Sequence, residues 1–395
     1  MNKILIINSL YHPNNVGGAE RSVRLMADGL KSAGFEPVIV STADKNSTDY
    51  VNDIKVYYLK IPNLYWMRDA KQNPTYKKPL WHLIDSYNPT AAVKLEKIIM
   101  AEKPDLVHTN NLAGFSVSVW KTAREHKLPI VHTIRDHYLL CPNSTMYKND
   151  KHCRKQCFSC RLYSLPRKSN SQFVDAVVGV SRFILEKHLQ YGYFSGTKIK
   201  SHIYNAADID VKNSHKGGSG SQIVFGCIGL LAPIKGTEYL LERFKAMNPQ
   251  NAKLKIFGRG VTEAYEKMLI ERYQCDNIEF MGHKNTEEIY RDIDIAVIPS
   301  LCDDAFPRII IESYSHGLPV IATSMGGASE MVDEAKTGFV FDPAVAGSLE
   351  KHIRTLIDNP VLAARMADNC REKARAFHID NVVDEYIKIY RQAAG

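Results

Sequence analysis

The sequence predicts an α/β fold in two domains, each a parallel sheet flanked by helices. Three observations carry that prediction. Short runs rich in Val and Ile, of strand length, alternate with helical periods along most of the chain. At 395 residues the chain is too long for one typical core. The run VKNSHKGGSGS, between Asp210 and Gln222, has the composition of a flexible linker. It puts the first domain at 1–208 and the second at 222–376, with a helical stretch at 377–394 to follow.

The first domain opens with a buried strand at 3–9 and the loop YHPNNVGGAER. Gly17-Gly18 then starts a helix whose apolar positions Val23, Met26, Ala27, Leu30 and Ala33 share one face. Gly34 closes it, and 37–42 is the next strand. Strand, glycine loop, helix, strand is a Rossmann-like unit, and Gly17 and Gly18 let the backbone approach a phosphate or a sugar at the helix start. Residues 44–90 read as an edge strand and long loops. Their aromatics Tyr57, Tyr58, Tyr65, Trp66, Tyr76 and Trp81 suit either sugar stacking or a core. A helix at 91–102, a strand at 105–109, a helix at 114–126 and a strand at 129–134 continue the alternation.

The segment RDHYLLCP follows, with Arg135 and His137, and then Cys153, Cys157 and Cys160 join its Cys141. Four of the eight cysteines within twenty residues leave three readings open: a structural zinc on four thiolates, reduced free thiols, or disulfides. His152 is a competing zinc ligand. Residues 148–168 hold seven Lys or Arg against one Asp, which suits a solvated loop or a patch for a membrane or lipid phosphate. A strand at 176–180, a helix capped by Ser181 and a strand at 199–204 complete the domain.

The second domain begins with a strand at 223–228 and the loop GLLAPIKG, which carries Gly229 and Lys235. A strand and turn at 253–260 contain Gly258, and another strand lies at 278–282. The densest stretch is 294–338: a buried strand at 295–299, a polar loop, a helix at 308–316 opened by Pro307, and a strand at 320–324 ending at Gly326-Gly327. Ligands of such sheets bind at the carboxyl ends of strands. Asp304 in the loop and Glu312 in the helix are carboxylates that can accept from a vicinal diol such as a ribose. The helix start at 307–309 offers N–H groups and the positive end of a dipole to an anion. The stretch 344–376 reads as helical, and 382–392 as a final amphipathic helix.

Pro299-Ser300, Asp304-x-Phe306-Pro307, Glu312-Ser313, Gly317, Pro319-Val320, Gly326-Gly327 and Glu330 together resemble the carboxyl-terminal signature of the retaining family-4 glycosyltransferases. Gly17-Gly18-Ala19-Glu20, the RDHYLLCP segment, 205–208 and Lys235-Gly236 extend the resemblance over nearly the whole length. It implies the GT-B fold: two Rossmann-like domains facing across a cleft, the last helix returning to the first. It implies transfer of a sugar from a UDP- or GDP-type nucleotide-sugar to a hydroxyl of a lipid-linked or oligosaccharide acceptor, with retained configuration and no cofactor. Lys235, Asp304 and Arg135 are then the expected catalytic residues. Glu312, Phe306, Pro307, Arg308, Ile309, Gly229 and Gly258 would bind the donor, and Gly17, Gly18 and Glu20 would form the acceptor or phosphate loop. Three positions depart from the family pattern: Asp304 for Glu, Arg135 for His, and Leu230 for Arg. Arg308, Arg259 or Arg135 could supply the missing cation. A sugar-nucleotide 2-epimerase of the same fold and an inactive nucleotide-sugar-binding protein are the rival functions.

With 45% apolar and 24% charged residues the composition is that of an ordinary globular protein. It contains no run of eighteen apolar residues, and the first five residues do not resemble a signal peptide, so cytoplasm is the expected location. The net charge of +8 comes without a nucleic-acid-binding motif. An anionic surface, at the inner membrane, or a phosphate-bearing substrate accounts for it better.

Overall fold

The computed structural model describes residues 1–14, 17–207 and 222–395. Asp208 and the expected linker lie outside the described residues. Contacts divide the chain into two units: Met1–Met146, Cys153–Asp208 and Ile379–Gly395 form one, Tyr147–His152 and Ile209–His378 the other.

The first unit starts with β1 (Lys3–Asn8), α1 (Gly18–Ser32) and β2 (Glu36–Thr42). Val23, Met26, Ala27 and Leu30 of α1 are buried, as their spacing requires. Next come the edge hairpin β3 (Ser47–Val51) and β4 (Ile54–Leu59), then α2 (Lys78–Ser86), α3 (Pro89–Glu102), β5 (Leu106–Thr109), α4 (Ser118–Glu125) and β6 (Ile130–Ile134). A two-residue-per-strand hairpin, β7 (Tyr147–Lys148) and β8 (Lys151–His152), is counted with the second unit. The chain continues through α5 (Phe158–Asn170), β9 (Ala176–Gly179), α6 (Arg182–Gln190) and β10 (Ile199–His202). The sheet order is β10-β9-β6-β5-β1-β2-β4-β3, parallel except for β3.

The second unit contains β11 (Ile223–Ile228), α7 (Thr237–Met247), β12 (Ala252–Phe257), α8 (Glu263–Tyr273), β13 (Ile278–Gly282), α9 (Thr286–Arg291), β14 (Ile295–Ile298), α10 (Arg308–Ser315), β15 (Val320–Thr323), β16 (Gly338–Phe341), α11 (Ser348–Asp358) and α12 (Pro360–Arg375). Its parallel sheet runs β13-β12-β11-β14-β15-β16. Counted within the unit, that is the doubly wound order 3-2-1-4-5-6. The order reverses between β11 and β14, and in open sheets of this order that is where ligands bind.

Four expectations about elements change. Residues 148–168 are not one loop, because they supply the hairpin and most of α5. The helical stretch 344–376 splits at Pro360, which cannot donate to a preceding carbonyl. Pro307 is the N-cap of α10 and not its first helical residue. Of the aromatics in 44–90, Tyr58 and Trp81 are core, while Tyr76 is 77% exposed.

The last helix, α13 (Ile379–Ala394), packs in the first unit, where Val382, Val383, Tyr386 and Tyr390 join the core beneath α1. A buried polar chain fixes it. His108 on β5 bonds Tyr390 Oη at 2.7 Å through Nδ1 and Thr133 Oγ1 at 2.8 Å through Nε2, and Thr133 reaches Tyr386 Oη at 3.1 Å. Burial holds the His108 pKa well below its ordinary value, so the ring is neutral and can donate through one nitrogen and accept through the other. Tyr390→Phe would leave a buried imidazole nitrogen without this partner, so denaturant unfolding is expected to show a loss of about 1–3 kcal/mol.

Candidate active site

In the second unit the expected donor residues gather at the reversal point of the sheet. Gly229 follows β11 and Gly258 follows β12, both at positive φ, and a Cβ on Gly258 would lie 1.8 Å from the Gly229 carbonyl oxygen. Two strand-end loops are therefore in backbone contact. Ile309, in the first turn of α10, reaches to 3.7 Å from where a Gly229 Cβ would stand.

The turn carrying Lys235 is pinned in the same way. Gly236 has φ +70, and a Cβ there would lie 1.9 Å from the Pro299 carbonyl oxygen at the end of β14. Leu301 N–H donates to Ile234 O at 3.0 Å beside it. With the two loops joined, Lys235 Nζ reaches Asp304 Oδ2 at 2.6 Å. Burial works to lower the Lys235 pKa, but the Asp304 charge and hydrogen bond outweigh it and hold it above the ordinary value. The ammonium is charged throughout the neutral range.

Asp304 is fixed on its other side as well. Its Oδ1 accepts from Phe306 N–H at 3.2 Å, and Gly327 N–H donates to its carbonyl at 2.8 Å. Pro307 caps α10 without a side-chain bond. The N–H groups of the first turn of an α-helix have no intrahelical acceptors, and the helix dipole favours an anion at that end. Glu312, one turn in, stands 3.8 Å from Arg308 Nε and accepts from Tyr290 Oη at 3.4 Å. Arg308 thus faces Glu312. Leu230, where the family pattern has Arg, is half exposed. Tyr290 went unnoticed in the sequence; it sits twenty-two residues from Glu312 and no local pattern marks it.

In the first unit, Gly17 is the N-cap of α1 and its N–H donates to Glu20 Oε2 at 2.8 Å. Glu20 therefore has a capping function as well as the expected place at the loop. Arg135 follows β6, with Nε donating to Asn110 Oδ1 at 2.8 Å and Nη1 to Asn205 Oδ1. These carbonyls fix the plane of the guanidinium. His137 is 2% exposed and its ring stacks on His188 at 6.3 Å.

The cysteine segment is partly converged. Cys157 and Cys160 Sγ are 3.3 Å apart. The hydrogen bond from Cys160, helped by N–H groups of Asn143, Met146 and Thr145, outweighs burial and brings the Cys141 thiol down to about 6. Among the described residues, no group of three or more His, Cys, Asp or Glu is arranged to hold a metal ion. His152, the competing ligand, stands 3.4 Å from an Asp303 oxygen.

Asp136, beside Arg135, is the second residue that the sequence did not single out. Burial pushes its carboxyl up to about 6, against the Tyr138 N–H and the Arg167 charge, and Glu20 and Cys141 add to the rise. A carboxyl raised in the folded state binds more protons than the unfolded chain between about pH 4 and 6, so stability falls as pH rises through that window. Asp136→Asn is expected to flatten this fall, read as the melting temperature from pH 4 to 7.

Comparison with known proteins follows the same division. The Glycosyltransferase Family 4 pattern matches residues 16–211, and that of the Glycosyl transferases group 1 matches residues 185–376. An uncharacterized 42.6 kDa protein in the cps region of Klebsiella pneumoniae is 32% identical over 98% of this chain and 99% of its own. In structure, the sucrose-phosphate synthase of Thermosynechococcus elongatus matches with a TM-score of 0.76 at 17% identity, over 99% of both chains. Anabaena HepE, in complex with UDP and glucose, matches at 0.71 and 20% identity over 98% of this chain and 99% of its own. At these identities the likeness to the two structures is one of fold.

Proposed function

The chain belongs to the family 4 glycosyltransferases, and on that footing we propose that it is a retaining enzyme of surface-polysaccharide assembly that moves a sugar from a nucleotide-sugar to an acceptor hydroxyl. It has the GT-B fold and is a transferase acting on sugars. The observation that carries the finer reading is the Lys235–Asp304 pair beside the start of α10, at the reversal point of the second sheet. A fixed ammonium and a helix N-terminus suit the two phosphates of a nucleoside diphosphate. UDP and glucose in the HepE complex support a UDP-type donor, and the cps region of the Klebsiella relative supports a polysaccharide product.

In this reading Glu312 accepts hydrogen bonds from the ribose hydroxyls. Lys235 and the first turn of α10, with Pro307, Arg308 and Ile309, take the diphosphate. Gly229 and Gly258 let backbone approach the nucleotide, and Asp304 with the Phe306 N–H orients the sugar. As the bond from the anomeric carbon to the phosphate oxygen breaks, negative charge grows on the diphosphate, where Lys235 and the helix dipole stabilise it. The acceptor oxygen bonds the same face of the anomeric carbon, and its proton passes to the leaving phosphate oxygen. No side-chain base is required, so Arg135 at the family's histidine position is compatible with transfer. Arg135, Gly17, Gly18 and Glu20 would serve the acceptor, a lipid-linked or oligosaccharide chain presented at the inner membrane.

The test is a screen of nucleotide-sugars for thermal stabilisation and diphosphate release, followed by transfer from a labelled donor. A 2-epimerase would convert the donor without any acceptor, and an inactive binder would be stabilised without turnover. Lys235→Ala is expected to lower kcat more than donor affinity, and Glu312→Ala to weaken donor binding by about 1–3 kcal/mol. Turnover of Lys235→Ala at the wild-type rate would remove Lys235 from the mechanism.

A structural zinc on Cys141, Cys153, Cys157 and Cys160 is proposed from their spacing in the sequence alone; among the described residues no three of these thiols are arranged to hold an ion. Protein purified without chelator is expected to carry about one zinc per chain. Less than about a tenth of that, with four titratable thiols, would retire the site.

A further inference from the structure

The geometry points to the outer faces of α2 and α5 as a docking surface for an anionic lipid bilayer. On α5, Phe158, Leu162 and Leu165 are 84%, 52% and 61% exposed, and their i, i+4, i+7 spacing puts them on one face. The opposite face carries Ser164 and Arg167, both buried. Leu80 and Leu83 of α2 are likewise 50% and 57% exposed, while Trp81 and Asp85 face inward.

The two helices are locked together. Arg167 Nη2 lies 3.3 Å from Asp85 Oδ2 with both side chains wholly buried, and the Arg167 guanidinium lies over the Tyr138 ring at 3.9 Å. His82 and Tyr163 bring their rings to 5.9 Å between the same helices. The apolar residues therefore belong to one rigid platform within the first unit.

Charge selects the partner. Lys78, Arg154, Lys155, Arg161 and Lys168 are exposed along the two segments, and Lys77 is half-exposed. Neither 72–84 nor 153–174 contains an Asp or Glu. Exposed Phe and Leu set among Lys and Arg, with no acid, is the composition of an interfacial helix whose apolar side chains enter the acyl boundary while cations meet lipid phosphates. An acidic protein partner would match the cations but would leave Phe158, Leu162 and Leu165 without a reason to be exposed together. No helix among the described residues is long and apolar enough to cross a membrane, so any contact through this platform is peripheral.

This inference goes beyond the glycosyl-transfer reading, because it is read without any sugar. Purified full-length chain is mixed with sedimenting vesicles of phosphatidylcholine alone or with about one-third phosphatidylglycerol. The partition coefficient is expected to be at least tenfold higher on the anionic vesicles and to fall as salt rises, since screening acts within a Debye length. Leu162→Asp with Leu165→Asp is expected to lower it at least tenfold, and so is Lys155→Gln with Arg161→Gln. Transfer to a short water-soluble acceptor should be unchanged in both, which keeps a failure of docking separate from a failure of the enzyme assignment. Phe158→Trp, measured with brominated acyl chains, gives a reading that does not depend on a disruptive variant, and its fluorescence should be quenched beyond that of the wild-type tryptophans. Equal partition to both vesicle types, no added quenching in the Phe158→Trp variant, or self-association that Leu162→Asp abolishes without any vesicle binding would each overturn the proposal.

Discussion

Backbone contact between strand-end loops is the constraint on which the second unit's site depends. Residue 236 must be glycine because the Pro299 carbonyl oxygen occupies the space of a Cβ, and the Gly229 carbonyl does the same at 258. β11 and β14 are neighbours although more than sixty residues separate them, so their carboxyl ends deliver Lys235 and Asp304 to one place. A side chain at 236 would push the Lys235 turn away from β14 and open the 2.6 Å pair. The ion pair is partly exposed, so its net contribution to stability is small. Its consequence is positional: the ammonium is held beside the first turn of α10 before any ligand arrives.

The first unit is held by a different device, the pairing of polar groups inside its core. His108, Thr133, Tyr386 and Tyr390 satisfy one another between β5, β6 and a helix that follows the whole second unit in sequence. Arg167 and Asp85 do the same between α5 and α2, with Tyr138 Oη donating to Asp85 Oδ2 at 2.8 Å. A buried charge left alone is far costlier than a paired one, so each network rejects arrangements in which its members separate. That is how the apolar faces of α2 and α5 stay turned outward: the buried charges on their inner faces are each other's counter-ions.

Sequence periodicity was enough for the alternating strands and helices, because a buried parallel strand and a one-sided helix each leave a local signature. It placed β1, β2, β11 and β14, the apolar stripe of α1 and the family signature around α10. It failed where a short stretch had no period of its own. Residues 148–168 looked like a basic loop because Lys and Arg dominate them, yet they form a short hairpin and most of α5, whose Arg167 pairs with a distant Asp85. His137 drew notice for lying near Arg135, but it is buried and its ring stacks on that of His188, fifty-one positions on. Tyr290 carried no motif, and Asp136 lay inside the RDHYLLCP segment without being singled out; their neighbours in space are what draw notice to them.

By itself, the sequence determined the fold class and the family and singled out the residues proposed for a diphosphate and a diol, because these follow from local pattern and spacing. The tertiary structure decided which of those groups meet. It set Lys235 against Asp304, brought Tyr290 to Glu312, and fixed Arg135 between Asn110 and Asn205. The physical reason is that nearly every such contact joins residues on different elements. Its existence depends on strand order and on close backbone packing between loops, and neither is written in any single stretch of the chain.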